Sequence, residues 1–481
     1  MKKKSIAILL MSLLIFITLA QAFIILDYYL EGFSLGIFNR REEPQPYFRA
    51  YESVVREKYL VPFKIYANID DARLYEITRQ EGNFHSLIWE NSRFILQEAL
   101  ARERDEKLGL EQWYNICIMK GVSLRFADAL PSEFLAWMVE ANDNALRNVK
   151  IEKILFAVQE EDTVDMYLKT PDSILLYKGL ESQGLLRTTN YANLTDLLKT
   201  SAAYINNKYS YSRVAFGTSR LRVEPDIPII MRTVDESFGF RTLELIQVKP
   251  LALLSEYAAL AEKASRPLSG DATLAAKANG IRSMLFGRSH DRYKTVISEE
   301  ASIFFTNQYN IYEVTIRNRM TYVYTPGVEG MEKGSLEAAF MNALDTLNIF
   351  YNLNGSKVPG MFISGILETD GYYEFMFNYL HENRPVVFKG LDHAVRIKAT
   401  ATRTIEADVM MLEISGLEDV SMEYDAEFYS LIQRNDIEML GLVSDNMYFG
   451  YEIEELTDRF LQPVWINEKH DGEKTAWEMA R

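Results

Sequence analysis

The start of this chain constrains it most. Lys2, Lys3 and Lys4 precede an uncharged run from Ser5 to Leu26 that includes Ile8-Leu9-Leu10, Leu13-Leu14-Ile15-Phe16 and Phe23-Ile24-Ile25-Leu26. As a helix this run is about 33 Å long, enough to cross a hydrocarbon core of about 30 Å. The expected membrane anchor comprises Ser5, Ile8, Leu9, Leu13, Phe16, Leu19, Ile24 and Leu26. The lysines stay cytoplasmic by the positive-inside rule, which places everything after Asp27 outside the cell. A cleavable signal peptide is the rival reading, because Ala20-Gln21-Ala22 has the small-x-small form of a cleavage site. Against it, the apolar run continues past Ala22 through Phe23-Ile24-Ile25-Leu26. Both readings export the rest of the chain.

The chain as a whole has the composition of an ordinary globular protein, 48% hydrophobic and 25% charged, which excludes a disordered or low-complexity chain. At about 150 residues per domain, 481 residues suggest roughly three domains. The net charge is −16, and a surface that acidic repels phosphate backbones, so nucleic acid is excluded as a partner. Cys117 is the one cysteine, which rules out an intrachain disulfide and a lipoprotein signal. With five histidines besides, a multi-Cys/His zinc site has almost nothing to be built from.

Patterning divides the chain. Residues 1–28 hold the lysines and the anchor. Residues 29–48 form a charged linker with Pro44 and Pro46. An N-terminal extracytoplasmic α+β domain is expected over 49–222. In it Val61–Ile69 reads as a strand, and Leu87, Asn91, Phe94, Ile95 and Ala99 keep helical spacing. Pro131 opens a helix with Phe134, Leu135, Met138 and Ala141 on one face, and Ile151–Val158 with Val164–Lys169 forms a hairpin. A central α+β domain is expected over 223–332. Its helices are Leu251–Ala264 and Asp271–Leu285, parted at Pro267–Gly270, and its meander is Ser302–Thr306, Ile311–Ile316 and Met320–Tyr324. An antiparallel-β-rich domain is expected over 333–481. It opens on a helix with Leu336, Phe340, Leu344 and Leu347 on one face. Tyr373, Phe375, Phe377 and Tyr379 then alternate with Glu374, Met376 and Asn378, and Val395, Ile397 and Ala399 with Arg396, Lys398 and Thr400. A last strand ends near Pro463–Ile466. Helices followed by antiparallel strands, at least twice, mean α+β rather than a wound βαβ sheet.

Enzyme constellations fail one by one. No G-x-S-x-G occurs, and Ser364 in Phe362-Ile-Ser-Gly365 lacks the first glycine. His381-Glu-Asn-Arg-Pro385 starts like a zincin helix, but Pro385 stands where the second histidine belongs, so the segment reads as a turn into Val386-Val387-Phe388. His381 and His393 read as two exposed loop histidines. Neither a P-loop nor a dinucleotide fingerprint is present, and Asp370-Gly371 is a hairpin turn rather than a calcium loop. Glu160-Glu161-Asp162 and Glu452, Glu454 and Glu455 read as solvated faces, and Cys117 as a buried small hydrophobe. Asn193-Leu-Thr195 and Asn354-Gly-Ser356 match the glycosylation sequon by chance. No catalytic, cofactor-binding or metal-ligating residue is assigned.

Several segments of the second half resemble the YycH family, membrane-anchored regulators of the YycG/YycF (WalK/WalR) two-component system. They are Met284-Leu-Phe-Gly-Arg288, the strands Ser302–Thr306 and Met320-Thr-Tyr-Val-Tyr-Thr-Pro326, and the helix Leu336–Phe350. Glu382-Asn-Arg-Pro-Val-Val-Phe-Lys-Gly390 and the closing Leu461-Gln-Pro-Val-Trp-Ile466 complete the set. The likeness spans residues 225–470 in pattern and the anchor in type; Thr306-Asn-Gln-Tyr309 replaces the family's turn. The resemblance implies a non-enzymatic adaptor in the cell membrane. Its implied partners are a YycG/WalK-like sensor histidine kinase and a YycI-like membrane protein, and its implied output is control of cell-wall homeostasis. Two alternatives stand beside it: an exported binding module for wall fragments or lipid, using the aromatic-rich sheet of the last domain, and a carboxylate-dependent hydrolase.

Overall fold

The computed structural model describes residues 55–56, 59–70, 73–77, 84–117, 119–160, 162–200, 210–212, 222–223, 240–251, 272–298, 302–315, 319–327, 331–352, 357–381, 384–425, 443–444, 446–454, 459–468 and 474–479. Met1–Val55 and Arg56–Arg481 are separate compact units. The expected anchor and linker lie outside the described residues, as do the break at 267–270 and nearly all of the helix expected over 251–264. No helix among the described residues is long and apolar enough to cross a membrane.

An eight-stranded sheet opens the second unit. Its strands are β1 (Lys64–Asp70), β2 (Arg73–Glu76), β3 (Glu106–Leu108), β4 (Gly121–Pro131), β5 (Lys150–Val158), β6 (Thr163–Lys169), β7 (Ile174–Glu181) and β8 (Ser210–Ser212). The order is β3-β7-β6-β5-β4-β1-β2-β8, antiparallel throughout. The expected hairpin is β5–β6, running from Lys153 opposite Lys169 to Val158 opposite Val164. The helices are α1 (Phe84–Leu100), the single turn α2 (Trp113–Ile116), α3 (Ser132–Met138) and α4 (Thr188–Thr200). Helix α1 forms where its spacing places it, and it buries Ile95 and Ala99 of the expected positions together with His85, Ile88, Trp89, Ser92, Leu96 and Leu100. Leu87 and Phe94 point to solvent, Phe94 with 59% exposure. In α3, Phe134, Leu135 and Met138 are buried as expected.

The two-residue strand β9 (Arg222–Val223) and the long strand β10 (Phe240–Pro250) lead to helix α5 (Ala272–Phe286) and the meander β11 (Lys294–Ile297), β12 (Ile303–Thr306), β13 (Asn310–Val314) and β14 (Arg319–Tyr324). Helix α6 (Leu336–Asn352) follows Gly334, whose φ of 68° suits glycine, and buries Leu336, Phe340, Leu344 and Leu347. The remaining strands are β15 (Met361–Glu368), β16 (Tyr373–His381), β17 (Arg384–Phe388), β18 (Val395–Ala399), β19 (Thr404–Met410), β20 (Leu412–Asp425), β21 (Val443–Ser444), β22 (Asn446–Ile453), β23 (Arg459–Leu461), β24 (Pro463–Glu468) and β25 (Lys474–Glu478). The final strand is thus β25, beyond the one expected near Ile466.

Twelve of these strands make one sheet, ordered β11-β12-β13-β14-β19-β18-β16-β17-β22-β24-β25 with β15 paired to β16. Only β17 and β22 run parallel in it. The boundary expected at 332/333 falls between strands of this sheet. Strand β10 pairs with β20 and β23, and β9 with β21. The fold is therefore mixed α+β with antiparallel sheets, as the patterning predicts.

The two large sheets meet at two places. Strand β4 slips register between Arg125 and Leu130, and the excursion reaches β15. There Asp128 accepts the Ile366 N–H, and Ala127 joins a cluster of Phe63, Phe362, Leu380, Val387, Tyr448 and Ile466. Phe63 stacks on Phe362 at 4.6 Å and meets Tyr448 edge-on at 5.6 Å. At the second place Phe340 of α6 packs edge-on against Phe134 and Trp137 of α3, and against Phe375 of β16.

Candidate interaction surface

The register of the twelve-stranded sheet separates its two faces. One face carries Phe305, Tyr312, Tyr322, Ala407, Ile397 and Phe375, and helices α5 and α6 cover it. Phe286, at the end of α5, stacks on Tyr293 at 3.6 Å and meets Tyr312 at 5.2 Å. Burial pushes the Tyr322 hydroxyl up to about 12 and Tyr312 higher still, as expected of hydroxyls inside an aromatic cluster.

The other face carries two rows across the strands. One is Val296, Phe304, Glu313, Thr321, Asp408, Arg396 and Met376; the other is Lys294, Thr306, Ile311, Val323, Glu406, Lys398 and Glu374. Opposite charges pair along them. Arg319 donates from Nε to Asp408 at 2.6 Å, Lys398 reaches Glu406 at 2.7 Å, and Arg396 donates to Glu374. Such cross-strand pairs are each worth about 0.2–1 kcal/mol, so they set register more than stability. At the β15–β24 end this face is closed by Phe63 and β4. At the β11–β14 end it stays open, with Val296 53% and Val323 41% exposed and Phe304 and Ile311 half-buried. The result is a charge-balanced, partly apolar surface on a chain whose net charge is −16.

The aromatic residues expected to offer a recognition platform are elsewhere. Tyr373, Phe375, Phe377, Tyr379, Tyr448, Phe449, Tyr451 and Trp465 are all buried. Glu374 and Asn378, the alternate residues of β16, are buried too, because the strand is covered on both faces. Among the described residues, then, these aromatics serve the core rather than an exposed platform.

The histidines also differ from expectation. Neither His381 nor His393 is an exposed loop residue; both are half-buried, and His381 ends β16. His393 lies ahead of β18, and its Nδ1 is 2.8 Å from the Oγ of Ser364 on β15, across β16. Burial, with Lys474 nearby, holds the His393 imidazole below its ordinary value. Asp128 is exposed along much of its length, yet desolvation of its carboxyl beside β15 pushes its pKa up.

Cys117 forms no disulfide and is buried with Trp113, Ile116, Leu155 and Tyr167, as a small hydrophobe. It is the C-terminal cap of α2. Glu160 and Asp162 are solvated, and Glu161 and Glu455 lie outside the described residues. Glu454 is solvated and ion-paired to Lys389 at 2.7 Å, whereas Glu452 is half-buried and burial raises its pKa. Among the described residues no group of three or more His, Cys, Asp or Glu is placed to hold a metal ion. The signal missed in the sequence is the ladder: Arg396 and Lys398 alternate on β18 just before Glu406 and Asp408 alternate on β19.

No protein-family model matches the chain, and no curated protein matches it by sequence. The crystal structure of YycH from Bacillus subtilis is similar to it, with a TM-score of 0.51 and 13% identity over 88% of this chain and 96% of that one. An uncharacterized protein from Eubacterium rectale shares 11% identity over 56% of this chain and 88% of its own, with a TM-score of 0.29, too low to bear on the fold. The chain has a YycH-like fold.

Proposed function

With the YycH-like fold as premise, we propose that this protein is a membrane-anchored extracytoplasmic adaptor that modulates a sensor histidine kinase of the YycG/WalK type. Residues 5–26 anchor it, the bulk of the chain stands outside the cell, and a YycI-like membrane protein is its second partner. Its output is control of cell-wall homeostasis. The observation that carries this reading is the fold, shared with YycH over nearly the whole of that chain. The open half of the sheet suits an adaptor, because its balanced charges let it meet a protein partner without the repulsion the acidic remainder imposes. Regulation of this kind needs little energy. A coupling of about 1–3 kcal/mol between two kinase conformations changes activity many-fold. The anchor contributes if its small residues, Ser5, Ala7, Ser12, Ala20 and Ala22, pack beside the kinase's membrane helices.

The test is crosslinking of tagged full-length protein in its native membrane, followed by identification of what co-purifies. A sensor kinase together with a YycI-like protein, on an uncleaved bait, is the expected result. An ectodomain released from the membrane with no kinase attached overturns the proposal.

A further inference from the structure

We propose that Ser364 and His393 form an acid-sensitive latch, which in neutral solution holds the bulge of β15 closed against β4 of the other sheet and lets it open as the medium turns acidic. The bulge is the slip in register between Ile363 and Gly365, and Ser364 is the residue it leaves out of step with β16. His393 holds that residue from the loop before β18, with Nδ1 2.8 Å from the Ser364 Oγ. Two residues on, the Ile366 N–H donates to Asp128, which stands on the excursion of β4. Between them Gly365 lets the chains close, since a Cβ there would lie 3.4 Å from Asp128 Oδ2 and 2.7 Å from Met376 Cε. The segment 364–366 is thus held by an imidazole from its own sheet and by a carboxylate from the other.

The loop that carries His393 is itself fixed. Its Asp392 carbonyl accepts from Asn378 Nδ2 at 3.0 Å and from Lys474 Nζ of β25 at 3.0 Å, and Asn378 Oδ1 accepts the Ala394 N–H at 2.9 Å. With the loop pinned to β16 and β25, the ring reaches water only by giving up the serine. Few charges act on it. Lys474 of β25 opposes its protonation and Asp392 on its own loop favours it, while Asn378 of β16 and Ser364 of β15 are neutral. Glu374 of β16 and Arg396 of β18 are paired with each other, and the charges that act on Asp128 are Lys150 and Glu152 of β5.

Burial first, then Lys474, sets the closed ring against a proton. The closed latch therefore refuses a proton that the open one accepts, and falling pH draws the equilibrium toward open. Asp128 runs in the opposite sense. Desolvation holds its carboxyl above the usual range, so acid favours its buried form and the opening cannot come from it. Nothing in the latch depends on the proposed partners.

The experiment is hydrogen exchange, read by mass spectrometry, on full-length protein in detergent at fixed ionic strength. It is run about one pH unit above and about one below the ordinary imidazole value, with each rate corrected for the intrinsic pH dependence of exchange. In the parent, protection of β15 and of β4 around Asp128 is expected to fall several-fold, up to about tenfold, at the lower pH, while β6 and β7 keep theirs. His393→Gln is expected to abolish that fall. Lys474→Gln keeps a donor for the Asp392 carbonyl and removes the charge, so the closed ring accepts its proton at higher pH and the fall shrinks. Asp128→Asn is expected to leave the fall in β15 in place. A fall that persists in His393→Gln overturns the proposal, as does one confined to residues 389–394, one that β6 and β7 share equally, or none in the parent. If His393→Gln does not fold, Lys474→Gln decides, and an undiminished fall there overturns the latch.

Discussion

His393 shows how one side chain couples pH to the fold. Its imidazole bridges from the loop before β18 to Ser364 on β15, with Asn378 beneath it fixing the loop by donating to the Asp392 carbonyl and accepting the Ala394 N–H. Burial first, then Lys474, lowers its pKa below the ordinary 6.5. The unfolded chain therefore binds a proton that the folded chain refuses. Stability from this group is full above about pH 6.5 and declines as pH falls from there to the lowered folded value. His393→Gln is expected to flatten that part of the stability–pH curve relative to the parent, measured by urea unfolding at a series of pH values. An unchanged slope excludes His393 as a source of the acid sensitivity. None of this was legible from residues 29 positions apart, because a side-chain bond across an intervening strand leaves no local pattern. Cys117 was legible, since a lone thiol among apolar neighbours has few other places to be.

Elements were legible by type and only in part by face, and α1 shows the reason. The segment 84–100 holds two apolar stripes at helical spacing, one through Leu87 and Phe94 and one through Ile88, Ile95 and Leu96. Periodicity identifies the helix whichever stripe is buried, but only the sheet beneath it decides between them. The chosen stripe even includes the polar His85 and Ser92. Ile95→Ala is expected to cost about 2–5 kcal/mol, because it empties a fully buried site, while Phe94→Ala changes stability by no more than about 0.5 kcal/mol. Chemical denaturation of the two variants side by side checks this, and equal losses refute the assignment of faces. The same ambiguity explains β16, whose alternating pattern predicts a half-covered strand. Its neighbour Phe362 is roofed by Phe63, a residue far earlier in the chain, so its polar side is buried as well. The meander β12–β14 keeps one face partly open, and there pattern and structure agree.

At the scale of the molecule the governing fact is that the two large sheets share apolar surface. Phe340 touches Phe134 and Trp137 from one sheet's helix and Phe375 and Phe377 from the other sheet, while Phe63 and Ala127 are inserted over β15 and β24. Residues 56–222, cut from the chain, would expose Phe63, Ala127 and Phe134 to water, at about 25 cal/mol for each Å² uncovered. That loss is a large fraction of the stability a domain of this size holds in reserve. The isolated 56–222 segment is therefore expected to unfold at lower denaturant than the same residues do in the intact protein. Backbone amides of β1 and β4, at the junction, are expected to lose more hydrogen-exchange protection than those of β6 and β7, which lie farther along the sheet. Equal protection in segment and whole would mean that the sheets are independent. The proposed adaptor would then pass a signal from its open sheet face through the linker alone; coupled sheets instead let an event at β11–β14 be felt across β16 and β15 at β4, within one packed body.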